Sequence, residues 1–171
     1  AEADAIKPAT VRGRTDMRDV PLITIDPADA RDHDDAVWAA ADDDPKNPGG
    51  HQVIVAIADV AGYVRPGSAL DGEARKRGNS AYFPDRVVPM LPERISNDLC
   101  SLVEGKPRPC IAVRMVFDKD GNKVAHEFMR GLMRSAARLS YQQAQAAYDG
   151  KAPDVPAQIT EDVIIPLFKA Y

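Results

Sequence analysis

The chain has 171 residues, 44% of them hydrophobic and 28% charged, with a formal net charge of −4 at pH 7. This is the length of one domain, or of a piece of a larger one, and it holds enough apolar side chains for a packed core. No stretch approaches the roughly 20 apolar residues that cross a bilayer, and residues 1–10 contain no apolar core of a secretion signal, so a membrane-spanning chain and a secreted one are both disfavoured.

The predicted elements follow in chain order. Residues 1–19 are polar and carry Arg12, Arg14 and Arg18 among few apolar positions, which reads as a linker or lead-in arm. Val20 to Ile25 is a short β-rich run that stops at Asp26 and Pro27. A second strand is expected over residues 36–40, before the loop chemistry of residues 42–50. Val53 to Val60 is almost continuously apolar and predicts a strand buried on both faces. Ser68 and Gly78 bracket a short helix. Pro84, Pro89 and Pro92 keep residues 82–93 extended or turning. Residues 111–117 and 124–133 flank Asp118-Lys119-Asp120-Gly121-Asn122, a hairpin signal. Ser140 and Gln143 match a capping box for a helix running to about Tyr148. Residues from Thr160 on are helical in pattern, with Pro166 as a kink or a restart. The fold class is therefore α+β, a mixed sheet with helices.

The two cysteines, Cys100 and Cys110, form no CxxC pair. Without a secretion signal they are expected to be reduced thiols of a cytoplasmic protein.

An acidic chain argues at first against a nucleic-acid binder. The distribution weakens that argument: residues 26–44 hold eight aspartates and one arginine, and the rest of the chain has 18 acidic and 21 basic residues. Within this stretch Asp26, Asp29, Asp32, Asp34 and Asp35 fall in ten residues, between two expected strands. Such crowding is costly unless cations compensate it. Mg²⁺ takes oxygen ligands, a few of them carboxylates, and a pair of such ions serves phosphodiester hydrolysis. With a strand beginning near Asp34, that side chain would share a face with Ala36 and Trp38, and Asp35 would point the other way with Val37. A calcium loop counted from Asp32 would need Gly at position 37 and Glu at 43, where this chain has Val37 and Asp43. On chemistry alone the cluster is either a metal site or a solvated acidic turn.

The string from Thr24 to Val37, TIDPADARDHDDAV, resembles the signature of the RNB family of ribonuclease II and ribonuclease R, with wording nearer the ribonuclease R branch. The resemblance continues through Val55 to Val60, Tyr63 to Pro66, Glu73 to Gly78, Tyr82-Phe83-Pro84, Val88 to Pro92 and Leu99 to Leu102, in order. It implies the N-terminal part of a longer RNB catalytic domain, occupying residues 20–171, whose parent protein carries cold-shock-type and S1-type RNA-binding domains. It also implies a 3′-to-5′ exoribonuclease that hydrolyses single-stranded RNA to 5′-nucleoside monophosphates with Mg²⁺, or Mn²⁺, as cofactor. Asp26, Asp32, Asp34 and Asp35 match the family's active-site aspartates and metal ligands, with Asp34 the one whose loss abolishes catalysis. Asp29 is supporting. His33 is expected to be a solvent-facing spacer without a metal role. Tyr82 matches the aromatic that stacks on the terminal base; without the resemblance it reads as an ordinary core tyrosine. Arg65, Arg75 and Arg77 either meet RNA phosphates or pair with nearby acids. The later arginine-rich segment of the family's domain is absent, so the isolated chain is expected to be weak or inactive. The alternative is a non-catalytic RNA- or partner-binding module of the same fold.

Overall fold

The computed structural model describes residues 2–171. Its centre is a seven-stranded sheet. In chain order the strands are β1 (Thr15–Met17), β2 (Ile23–Asp26), β3 (Asp35–Ala41), β4 (His51–Ala58), then β7 (Pro107–Phe117), β8 (Lys123–Arg134) and β9 (Ala137–Ser140). A separate two-stranded hairpin, β5 (Ala81–Tyr82) with β6 (Val87–Val88), stands between them in sequence. The spatial order of the large sheet is β1-β8-β7-β4-β3-β2-β9. All pairs are antiparallel except the two at the rims, β1 with β8 and β2 with β9. β1 reaches only Gly131 to Met133 of β8.

The helices are α1 (Glu2–Ala5), α2 (Val60–Tyr63), α3 (Ala69–Arg77), α4 (Tyr141–Tyr148), α5 (Ala157–Ile159) and α6 (Ile165–Ala170). Ser68 Oγ accepts the Asp71 amide at the start of α3, and Gly78 ends it at φ 77°, a left-handed stop that glycine takes without steric cost. At α4 the capping box is complete: Ser140 Oγ accepts from the Gln143 amide and Gln143 Oε1 accepts from the Ser140 amide. Ser140→Ala is expected to cost about 1 kcal/mol and to lower the thermal midpoint by about 2–4 °C; a calorimetric scan measures it, and an unchanged midpoint removes the cap's contribution.

Pro166 does not break the last helix. Thr160–Ile164, between α5 and α6, winds as a π-helix, with the Ile165 amide donating to the Thr160 carbonyl. A widened turn accommodates a proline that lacks its own donor and would crowd an α-helical carbonyl. A second π segment spans Arg94–Leu99. No described helix is long and apolar enough to cross a membrane.

Two cores form, one on each side of the sheet. The larger holds Leu22, Ala36, Ile54, Ala56, Cys110 and Met133 against Tyr63, Leu70, Ile95, Leu99 and Leu102. The smaller packs Ile23, Ala137 and Leu139 against Ala144, Ala147, Val163 and Ile164 of the C-terminal helices. These helices cover β9, β2 and β3 and reach only part of β4. β4 is therefore not buried on both faces: Ile54, Ala56 and Ala58 are buried, but Ile57 is 47% exposed. Its long apolar run conceals an alternation, because one side of the sheet's far half has no covering layer among the described residues.

Residues 2–19 are more than a linker. Ala3 and Met17 are buried in the larger core, and β1 joins the sheet. Ala1, the first residue of that arm, lies outside the described residues. Both thiols are free and buried. Burial pushes Cys100 up to about 12 and Cys110 up to about 11, which leaves both protonated and unreactive at neutral pH.

Candidate metal and RNA site

Strand direction gathers the aspartates at one edge of the sheet. Asp26 is the last residue of β2 and Asp35 the first of its antiparallel neighbour β3, so both stand at the same rim. β3 begins at Asp35, one residue before the strand expected over residues 36–40, and Asp34 precedes it. Asp59, directly after β4, stands at this rim too.

The loop between β2 and β3 is fixed from both sides. The Leu102 amide donates to the His33 carbonyl (2.8 Å), and the His33 amide donates to Ser101 Oγ (3.0 Å). The Ala58 amide donates to the Asp34 carbonyl (2.8 Å). Arg108, itself buried, donates to the Ser101 carbonyl (3.0 Å) and to Asp98 (2.6 Å), and so holds the segment that holds the loop. On the opposite side Arg138, on β9, donates to the carbonyls of Ala28 (3.2 Å) and Ala30 (3.1 Å).

His33 is not a solvent-facing spacer. It is 4% exposed, and its Nδ1–H donates to Asp26 Oδ2 at 2.8 Å. An ionised carboxylate only accepts, so this contact fixes the proton on Nδ1 and orients Asp26. The local sequence does not show this, because the backbone of His33 is anchored by Ser101, 68 residues away.

The carboxyls disturb one another. Asp34 and Asp35 are exposed residues, yet partial desolvation of the Asp34 carboxyl, then the charges of Asp32, Asp35 and Asp26, push Asp34 above the usual carboxylate range, with His33 opposing. Partial desolvation and then Asp26 raise Asp35. No arginine or lysine is among the groups that act on either of them. A hard divalent cation is what such a donor set fits: oxygen ligands only, adjacent, and lacking countercharge. Among the described residues, however, no three acidic, histidine or cysteine side chains already converge on one point as an ion's ligands.

Asp59 is a different case. It is 3% exposed and accepts from Arg14 (2.7 Å) and Arg130 (2.9 Å), and it caps α2 through the Gly62 amide. Its charge is already satisfied, so it ties the arm and β8 to the end of β4.

The RNB domain family profile matches residues 14–164. The chain belongs to the RNB domain family. Ribonuclease R of Escherichia coli (strain K12) is 50% identical to it over 129 residues, which is 75% of this chain and 15% of that protein. Among solved structures, Mycoplasma genitalium RNase R in complex with double-stranded RNA superposes with a TM-score of 0.89 at 31% identity, over 98% of this chain and 30% of that one. The same enzyme in complex with ribose-methylated single-stranded RNA gives 0.88 at 30% identity, over 98% of this chain and 26% of that one. This RNB chain thus spans less than a third of the length of these relatives.

Within the RNB chain, Tyr82 lies on β5 with 71% of its surface exposed, so it is no core tyrosine. Arg75 pairs with Asp71 (3.2 Å) and Arg77 with Glu73 (3.0 Å), each one turn along α3, and Arg77 also donates to the Pro89 carbonyl. Arg65 is exposed and has no acidic partner among the described residues. Arg138 escaped the sequence reading. Its one signal is a lone arginine inside the short strand Ala137–Ser140. Arg138→Met should release the Ala28 and Ala30 carbonyls and weaken Mn²⁺ binding about tenfold, as the loss of outer-shell support does elsewhere. Titration calorimetry reads this, and an unchanged affinity would show that the loop holds without Arg138.

Proposed function

We propose that this chain is the N-terminal part of the catalytic domain of a metal-dependent exoribonuclease. Its parent would hydrolyse single-stranded RNA from the 3′ end and release 5′-nucleoside monophosphates. The observation that carries the reading is the set Asp26, Asp32, Asp34 and Asp35 in one anchored loop region, with Asp34 and Asp35 raised and no arginine or lysine acting on either. Mg²⁺ or Mn²⁺ held by these four would supply an activated water and stabilise charge on the leaving oxygen.

The protein's own part is placement. Arg138, Ser101 and the Ala58 amide fix the loop, and His33 fixes Asp26. Tyr82, exposed on its hairpin, offers a face on which any terminal base stacks, which suits an enzyme indifferent to sequence. Among the described residues Arg65 is the one of the three arginines considered for phosphates without an acidic partner, and Arg75 and Arg77 reach RNA only from within weak surface ion pairs. The longer protein would add RNA-binding domains of the cold-shock and S1 types and act in the cytoplasm, where the two free thiols stay reduced. This chain alone would be weak or inactive.

The competing reading is an RNB-like module that binds RNA or a partner without catalysis, and the lack of three converging ligands among the described residues favours it. Titrating Mn²⁺ into the chain and into Asp34→Asn, with a short single-stranded RNA present, separates the two. Binding that the variant loses supports the metal-dependent enzyme. No binding in either supports the non-catalytic module.

A further inference from the structure

A cavity of about 460 Å³ opens between the N-terminal arm and the residues after β4, and its wall includes Lys7, Arg12, Arg14, Tyr63 and Arg65. The only carboxylate on the wall among the described residues, Glu2, is engaged by the Leu70 amide (2.9 Å). We propose that this pocket binds a backbone phosphate of single-stranded RNA a few nucleotides away from the aspartate cluster. The proposal rests on the reading of this chain as part of an RNA-degrading enzyme.

Three observations support it. The first is charge left over. Nearly every arginine of the chain has a carboxylate or carbonyl partner, from Arg18 with Asp16 to Arg138 with the aspartate loop. Among the described residues the exceptions are Arg12, Arg31 and Arg65, and two of these three line this one cavity. Lys7, also exposed and without an acidic partner among the described residues, adds a third free cation.

The second is rigidity. The arm is held in place, so the cations are presented by fixed backbone. The Ala9 amide donates to Tyr63 Oη (3.1 Å), and Arg94 donates to the carbonyls of Ala3 and Ile6, both at 2.9 Å. Arg14 is locked by Asp59 (2.7 Å).

The third is position. Asp59 follows β4, which is two strands from β2 and its terminal Asp26, and neighbouring strands lie about 4.8 Å apart. Asp59, which pairs with Arg14 of the pocket wall, therefore stands on the same rim as the aspartates, about 10 Å along it. Single-stranded nucleic acid is held by cations that track its backbone, with little call on sequence. An anionic chain approaching an anionic catalytic loop gains most from cations placed beside that loop, where they do not compete for its metal ligands.

The test uses Lys7→Ala/Arg12→Ala, two exposed positions outside both cores, and the charge-keeping Lys7→Arg/Arg12→Lys. Fluorescence anisotropy with single-stranded RNAs of about 4 and about 10 nucleotides, over a range of salt, gives the affinities. The alanine pair is expected to bind the longer RNA about tenfold more weakly, with a salt slope smaller by about 1, and the shorter RNA nearly as the parent chain does. The charge-keeping pair should bind like the parent. Equal binding by all three proteins overturns the pocket and leaves the RNA reading standing, and so does an equal loss at both lengths. RNA binding by none of them overturns both.

Discussion

Asp34→Asn is expected to act in opposite directions on function and on stability. Mg²⁺-type ions engage few protein carboxylates, so removing one from the cluster should weaken Mn²⁺ binding at least tenfold, by about the amount lost with a supporting ligand or more. Any hydrolysis of RNA by the chain should fall by about 10²–10³ or more. RNA affinity should stay close to that of the parent chain, since the cations and Tyr82 are untouched. Without metal, the same substitution should stabilise the fold. Asp34 is raised above its ordinary value of 3.8 by partial desolvation and by Asp32, Asp35 and Asp26. A carboxyl raised in the native state binds protons more readily there than in the unfolded chain, so stability declines as pH rises from the unfolded value through the native one. At neutral pH that cost is fully present, and Asn removes it. Asp34 is exposed, so solvent screens much of this cost, and the metal-free variant should melt only slightly higher at neutral pH, with the gain vanishing below the ordinary carboxylate range. Unaltered Mn²⁺ binding would take Asp34 out of the ligand set. A lower melting point would show that its carboxylate helps to hold the loop.

Asp59→Ala should do the reverse: a large loss of stability with no direct change at the aspartate loop. Burial on its own would push this carboxyl up, but the hydrogen bonds and charges of Arg130 and Arg14 outweigh it and hold the group below the usual range. Its side chain is 2% exposed, and its removal strands the guanidinium of Arg14, which is 10% exposed. Breaking a buried pair by deleting one partner costs on the order of 3 kcal/mol or more, which here is about 6–12 °C in the midpoint. The sign of the pH dependence follows from the depressed value. The contribution is complete above the unfolded value of 3.8 and disappears as pH falls through the lower native one, so parent and variant should converge in acid. Thermal scans at neutral and acid pH decide it. A difference that persists unchanged in acid would locate the effect in packing rather than in the ion pairs.

These two aspartates also show what the sequence made legible. Elements defined by local chemistry could be read directly: Ser68 and Gly78 bound α3, Ser140 with Gln143 starts α4, and Gly121 at φ 81° turns the β7–β8 hairpin. The aspartate cluster was legible because carboxylates crowded within a few residues carry their own electrostatic signal. Features made by distant partners were not. β1 is three residues long and exists because Arg14 and Met17 find β8 and Asp59 far along the chain. The anchoring of the His33 backbone comes from Ser101, and the clamp on Ala28 and Ala30 comes from Arg138. The run from Val53 to Val60 looked buried on both faces because apolar content alone does not say how many layers the sheet is given.

The short reach of β1 has a cost of another kind. It covers β8 only at Gly131 to Met133, so the stretch from Lys123 to Arg130 keeps a row of backbone donors and acceptors that face no neighbouring strand among the described residues. An open rim of this sort is a template for a further strand, whether from another copy or from a partly unfolded one. Val124 and Phe128 stand along it, 56% and 70% exposed. Lys123, His126, Glu127 and Arg130 interrupt them at close intervals. A partner strand would have to strip water from those side chains, and the Arg130 ion pair to Asp59 restrains the rim at its upper end. The side chains that keep this edge unpaired thus guard the protein's solubility as well as its shape.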